Sequence, residues 1–261
     1  MTNFQIGAQM YSVRNHCQNA QEMHTTLKLL KTMGYNICQL SGHAKDIPAE
    51  QIKEMLDDTG MKAPSTHISF DEMEEDSDKV IREHKLWGCD YPGIGGLPVR
   101  FRENGVEGYL EFAKRVNKVA KILKDNGMQF IYHNHAFEFE RHFPEGKTGL
   151  ETLLENCSED VMFELDLFWV QRGGGNPLEW IKKVEGRMDV VHFKEMNGTA
   201  KNQSEIAPIG KGNMNWAAIL PACDEIGVKY AFIEQDNAVM QGAIDCMMYS
   251  MNTLKKLGGT F

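Results

Sequence analysis

Asp166, His192 and Glu234 lie at or near the ends of three short apolar runs: Val161-Met162-Phe163-Glu164-Leu165-Asp166, Val190-Val191-His192-Phe193-Lys194 and Tyr230-Ala231-Phe232-Ile233-Glu234. His133 holds the matching place in a fourth, Phe130-Ile131-Tyr132-His133. One such residue is most often a satisfied polar group of a core. Four together read as a ligand set, because buried charges persist only when paired, hydrogen-bonded or bound to a metal. Mixed imidazole and carboxylate donors suit Mn²⁺, Zn²⁺, Fe²⁺ or Co²⁺ better than Mg²⁺ or Ca²⁺, which take all-oxygen shells. One divalent ion is expected, with Mn²⁺ or Zn²⁺ first.

These residues can meet only if the runs that carry them are strands of one sheet. Eight apolar runs, at 6–9, 36–40, 62–67, 90–93, 129–134, 161–166, 189–194 and 230–234, alternate with helical patterns at 21–33, 49–59, 77–87, 107–126, 150–156, 178–184, 216–226 and 243–257. Gly34, Gly60, Gly88, Gly127 and Gly227 follow helical runs, where a left-handed C-terminal residue is needed. Pro48 and Pro177 sit where a first helical turn tolerates a missing N–H. Eight strand–helix pairs in 261 residues predict a (β/α)₈ TIM barrel, an α/β fold filling residues 1–261 as a single domain. An open, doubly wound sheet is the competitor.

Residues two apart on a strand share a face. If Val161, Phe163 and Leu165 meet the helices, then Met162, Glu164 and Asp166 point to the barrel axis. The same alternation turns His192 and Lys194 inward, with Phe232, Glu234 and Asp236, and with Ile131, His133 and His135. Ser65 and His67, Gln9 and Tyr11, and Gln39 and Ser41 complete the inward set. Barrel axes are normally filled by Val, Ile and Leu, so polar inward residues at strand C-termini mark a site on the face where barrel enzymes work.

The composition, 42% hydrophobic and 25% charged, is that of an ordinary globular chain with a sizeable core. Lys and Arg number 28 against 37 Asp and Glu, a net charge of −9, which speaks against a nucleic-acid partner. Six scattered cysteines without a CxxC pair read as reduced thiols of a cytoplasmic protein. No basic segment followed by an apolar run opens the chain, so no signal peptide is visible. No stretch approaches the roughly 18–20 apolar residues of a membrane span.

Six segments also carry a family likeness: Gln9-Met10-Tyr11-Ser12-Val13-Arg14, Tyr132-His133-Asn134-His135, Glu164-Leu165-Asp166, Val191-His192-Phe193-Lys194-Glu195, Gly210-Lys211-Gly212-Asn213-Met214-Asn215-Trp216 and Phe232-Ile233-Glu234. Through nearly the whole chain the sequence resembles the xylose isomerase-like barrel superfamily, which holds sugar isomerases and epimerases, inosose dehydratases and the type IV apurinic endonuclease. The resemblance implies that Asp166, His192 and Glu234 are three of a Glu/Asp/His/Glu metal set. It also implies a small-molecule carbohydrate substrate and, since such barrels commonly associate, leaves a homo-oligomer open. Two positions depart from the pattern. The strand-five Glu, in isomerases one of two acid/base groups, is His133 here, as in the branch similar to inosose dehydratases. Alternation makes His133 the fourth ligand; the family pattern points instead to Glu138, which would have to fold back from a segment, 134–137, without Gly or Pro. Trp169 stands where the nuclease branch carries a further His, against a DNA-repair site.

Glu234, His135, Lys194 and Glu138 are the candidate catalytic residues. Lys194 either stabilises an enolate or pairs with Glu164 or Asp236. Gln9, Tyr11, His67, Trp169 and Arg172 are the candidate substrate contacts, Trp169 by stacking on a sugar or, equally, by packing. Arg172-Gly173-Gly174-Gly175-Asn176-Pro177 holds an oxyanion on its backbone N–H groups or is simply a loop capped by Asn176. Gly95-Gly96 marks a loop, and the acidic run 71–78 a solvated face before a helix. The expected chemistry is proton removal beside a carbonyl that the cation makes acidic. Through an enediolate it gives an isomerase or epimerase of a sugar, sugar phosphate or keto-sugar. A dehydratase or lyase acting on a cyclitol or 3-keto-glycoside is the alternative. A Schiff-base aldolase with Lys194 as nucleophile leaves the ligand set unexplained, and a non-catalytic sugar-binding barrel would keep the cavity without the ion.

Overall fold

A computed structural model describes residues 1–141, 146–201, 203–237 and 242–261. Its barrel strands are β1 (Gln5–Gln9), β2 (Ile37–Leu40), β3 (Lys62–His67), β4 (Tyr91–Ile94), β5 (Phe130–His133), β6 (Val161–Asp166) and β7 (Val190–Phe193). After them come an antiparallel hairpin, β8 (Glu195–Gly198) with β9 (Ser204–Ala207), and the last barrel strand, β10 (Tyr230–Ile233). All barrel pairings are parallel, and β10 bonds both to β7 and back to β1. That closure makes the fold a (β/α)₈ barrel and excludes the open sheet.

Alternation sorts the side chains into two layers. Val161, Phe163 and Leu165, with Val191 and Phe193, join the large apolar core between strands and helices. Ile37, Tyr91, Ile131, Met162, Val190 and Phe232 form a separate cluster on the barrel axis. Gln39, His133, Glu164, His192 and Glu234 lie two residues further along their own strands. A period of two therefore carries the polar side chains to the C-terminal end above an apolar floor.

The helices begin and end where the sequence signals them. Asn19 accepts the Glu22 N–H (2.9 Å) to start the helix Ala20–Met33, and Gly34 ends it at φ +114°. Pro177 opens the helix Pro177–Lys183, whose N-cap Asn176 accepts the Leu178 N–H at 3.0 Å. The glycine-rich segment before it is thus a capped loop. Pro48 differs slightly, preceding the first turn of Ala49–Thr59 as its cap.

The described residues include further short elements outside the eightfold pattern, among them the helix Val99–Arg102 and three others. The acidic run contains a short helix, Phe70–Glu75, anchored by the buried Phe70 and Met73. A second short helix, Leu167–Arg172, follows β6 directly. The third is the β8–β9 hairpin. No helix among the described residues is long and apolar enough to cross a membrane.

Candidate active site

The strand ends set the site. His133 closes β5 and Asp166 closes β6, and Asp166 lies beside His192 in the β6–β7 register. Asp166 is held at both ends: its N–H donates to Asn134 Oδ1 (3.0 Å), and its Oδ1 accepts the Trp169 N–H (3.1 Å) as the N-cap of Leu167–Arg172. Its other oxygen, Oδ2, is left facing the axis, 3.4 Å from His133 Nε2. Glu234 Oε2 lies 3.0 Å from His192 Nδ1 and 3.8 Å from His133 Nε2.

The donor atoms of His133, Asp166, His192 and Glu234 all fall within 4.8 Å of one another, and all four residues are buried. Both ring nitrogens of His133 lack a hydrogen-bond partner although the residue is only 3% exposed. Asp166 Oδ2 has no hydrogen bond either, only ion pairing. Buried polar atoms left in this state cost about 1–3 kcal/mol each, and one divalent cation would satisfy Asp166 Oδ2 and one of the two His133 nitrogens. The residues fit the ion, His133 among them.

Lys194 stands over the same carboxylates, its Nζ 2.8 Å from Glu234, 3.0 Å from Asp166 and 3.1 Å from Asp236. Of its two anticipated ion-pair partners, Asp236 is met and Glu164 is not. Burial alone would depress the Lys194 ammonium, but the three carboxylates outweigh it and hold the charge. Asp236 itself is pushed up to about 6, by burial and then by Glu234. Burial, and then the neighbouring His133, push His135 down to about 3.

Beneath the cluster lies a hydrogen-bonded layer. Gln39 Nε2 donates to Ser65 (2.8 Å) and Glu164 (2.7 Å), while its Oε1 faces His192 Nε2 at 2.7 Å. His67 Nε2 contacts the other oxygen of Glu164. Burial works against the Glu164 charge, but His192 and His67 outweigh it and hold the carboxyl far below its usual range. His192 is buried too, yet Glu164 and Glu234 lift it to about 10.

Above the cluster opens a cavity of about 420 Å³ whose walls include Tyr11, His67, His133, His135, Lys194 and Glu234. Four anticipated residues, Gln9, Arg172, Glu138 and Trp169, do not line it. Gln9 is fully buried, donating to Gln39 (2.8 Å) and accepting the Tyr11 N–H (2.7 Å), so it braces the layer below. Arg172 is exposed at the end of its helix, 5.3 Å over the Trp169 ring. Glu138 folds back through a 3₁₀ turn, Phe137–Phe139, that forms without Gly or Pro. Its carboxylate is buried away from the cavity, accepting from the Tyr132 hydroxyl (2.7 Å) and the His135 N–H (2.9 Å). Trp169 packs between His135 and Lys194, 5.2 Å from each.

Sequence reasoning passed over two supports. Asn134 orients Asp166 from within the Tyr132–His135 segment. Glu195, buried at the start of β8, accepts from the N–H groups of Met196, Gly210 and Met214 and from the Trp216 indole, tying down the loop that leads into the helix Trp216–Glu225. An acidic residue right after a strand end, followed by a Gly-rich segment, was the available signal. A larger cavity, about 1030 Å³, opens at the opposite end of the barrel. The apolar floor separates it from the cluster, and its Lys229, Asp189 and Tyr91 are bonded to one another. The His133/Asp166/His192/Glu234 cluster lies at the other mouth.

Residues 27–248 match the model of the xylose isomerase-like TIM barrel. The chain belongs to that family. No curated protein matches it in sequence. Among solved structures it is similar to a sugar phosphate isomerase/epimerase from Parabacteroides distasonis (22% identity, TM-score 0.81, 97% of this chain and 98% of that one). It is similar also to the probable 3-DHS dehydratase AsbF of Bacillus anthracis (13%, 0.72, 97% and 99%). An L-ribulose 3-epimerase aligns at 15% identity and a TM-score of 0.70, over 97% of this chain and 94% of that one. At these identities the likeness establishes the shared barrel fold.

Proposed function

We propose that the protein is a metal-dependent isomerase or epimerase of a sugar, sugar phosphate or keto-sugar. The observation that carries this reading is the buried His133/Asp166/His192/Glu234 cluster, with its unsatisfied His133 nitrogens, at the floor of a polar cavity. A divalent cation bound by these four residues would polarise a carbonyl and acidify the neighbouring C–H. Glu234, ionised and in the cavity wall, takes that proton. Lys194, 2.8 Å from Glu234, holds a fixed positive charge beside the enediolate that forms. His135 Nδ1 is buried without a hydrogen-bond partner and offers a contact for a substrate hydroxyl. Return of the proton by Glu234 at the neighbouring carbon, with the hydroxyl proton shifting between the two oxygens, gives isomerisation; epimerisation needs a second acid, a solvent molecule or a side chain, on the opposite face.

A dehydratase or lyase is the second reading, and the place of Glu138 favours it. With that carboxylate turned away, Glu234 has no second carboxylate facing it as an acid/base partner from strand β5, and loss of a β-leaving group needs only one base. Incubating the Mn²⁺-loaded protein with a panel of ketoses and following ¹H NMR spectra tests both. A new isomer that Glu234→Gln no longer makes supports the first reading, an unsaturated product the second. Turnover that persists in excess chelator would sink both.

A further inference from the structure

The polar cavity adjoins another. Gly95 and His135 belong to its wall and also to that of a neighbouring cavity of about 510 Å³, whose remaining lining includes Ile68, Phe70, Leu97, Pro98, Phe137 and Arg102. The rim between them is bare backbone. A Cβ on Gly96, whose φ is +151°, would stand 3.0 Å from the His135 ring, and one on Gly95 would stand 3.2 Å from His67 Nδ1. Gly95-Gly96 therefore does more than turn a loop: it lets two imidazoles lie flush against the chain and keeps side chains off the rim.

The two cavities differ in chemistry, and the inner one is not built for an anion. In the inner one the ammonium of Lys194 is taken by three carboxylates. Arg14 donates to the carbonyls of Tyr11 (2.8 Å) and Asp236 (3.1 Å) and lies 4.1 Å over the Tyr11 ring. Glu234 and Asp236 would repel a phosphate from the same walls. The outer cavity is mainly apolar. Its one charged lining residue, Arg102, rests 4.8 Å over the Phe137 ring, whose plane lies within 11° of the His135 ring stacked on it. Pockets of about 300–1,000 Å³ commonly hold one small ligand, so the inner cavity already suffices for a single sugar ring.

We propose that the outer cavity is an aglycone subsite, and that the substrate is an uncharged keto-glycoside, its carbonyl on the sugar ring, whose apolar group lies against Ile68, Leu97 and Phe137 while its sugar enters the inner cavity. This rests on the reading that the inner cavity takes the sugar. Of the substrates named in that reading it selects a keto-sugar that carries an aglycone, over free and phosphorylated sugars. Binding energy from the non-reacting aglycone would help position the reacting ring.

Calorimetric titration of the Mn²⁺-saturated protein tests it, with methyl and phenyl glycosides of glucose, galactose and xylose, the free sugars, and glucose and galactose 6-phosphates. At least one phenyl glycoside should bind ten times more tightly than its methyl counterpart, its free sugar and any phosphate. Ile68→Trp, which fills the outer cavity, and Phe137→Ala, which removes a wall, should each bring the phenyl-to-methyl ratio near one. A ratio read within one variant is insensitive to a general loss of binding, and the second variant serves if the first does not fold. Equal binding of phenyl and methyl glycosides, tighter binding of a phosphate, or an unchanged ratio in both variants would overturn the subsite alone. Failure of every sugar to bind would overturn it together with the reading of the inner cavity.

Discussion

His133 separates the ways of completing the cluster, because its two ring nitrogens are buried and unpartnered while both oxygens of Glu138 are spoken for. His133→Ala should weaken Mn²⁺ or Zn²⁺ binding at least tenfold, whereas Glu138→Gln should leave it unchanged. Metal titration of both variants checks this, and normal affinity in His133→Ala would reverse the assignment. Alternation along a strand placed Asp166, His192, Glu234 and His133 from sequence because those residues stand at or next to regular strand ends. It could not show how far a side chain reaches or what already holds it. Gln9 has the right parity but is spent on Gln39 and Tyr11. Glu138 and Arg172 lie past the strands, where no period applies.

Among the elements, the segment after β9 hangs on one carboxylate. Four donors converge on Glu195, which is 1% exposed. Glu195→Gln turns an amide against some of them, so stability should fall by about 2–3 kcal/mol. Urea unfolding measures the loss, and faster tryptic cleavage at Lys211 would localise it. A second test concerns the helix Ser77–Trp87. There His84 donates from Nδ1 to the Val80 carbonyl (2.7 Å) and faces the Thr66 hydroxyl through Nε2 (2.7 Å). Burial lowers its pKa from 6.5 to about 4. The folded state therefore resists a proton that the unfolded chain accepts. The contribution is complete above about pH 6.5 and is lost as the pH falls towards 4, roughly 3 kcal/mol in all by linkage. Urea midpoints at pH 7.5 and pH 5 should differ less in His84→Gln than in the wild type. The barrel helices were legible from their periodicity and end signals. Glu195-Met196-Asn197-Gly198 was not, since Asn and Gly are poor strand formers and the pairing with Ser204–Ala207 decides the conformation. Phe70–Glu75 was hidden for a related reason: two buried residues, Phe70 and Met73, outweigh four acidic ones.

For the whole molecule, a cation held as proposed between β5, β6, β7 and the end of β10 would tie together strands from widely separated parts of the chain. A ligand present at a hundred times its dissociation constant stabilises the folded state by about 2.7 kcal/mol. In a chain of this size that corresponds to a shift of roughly 5–10 °C in Tm. Scanning calorimetry with and without chelator should show it, and Asp166→Asn should abolish the difference. The closed barrel itself was legible because eight similar units leave few other solutions, whereas the adjoining cavities depend on loop packing that no local pattern encodes. The apolar floor beneath the cluster, Ile37, Tyr91, Ile131, Met162, Val190 and Phe232, turns the barrel into a blind well. Traffic then has a single mouth, and a bound substrate is its own stopper. Under the proposed proton transfer, a hydrogen lifted from a substrate carbon would have that substrate between it and bulk water, so an isotopic label would stay with the molecule it left until the mouth clears.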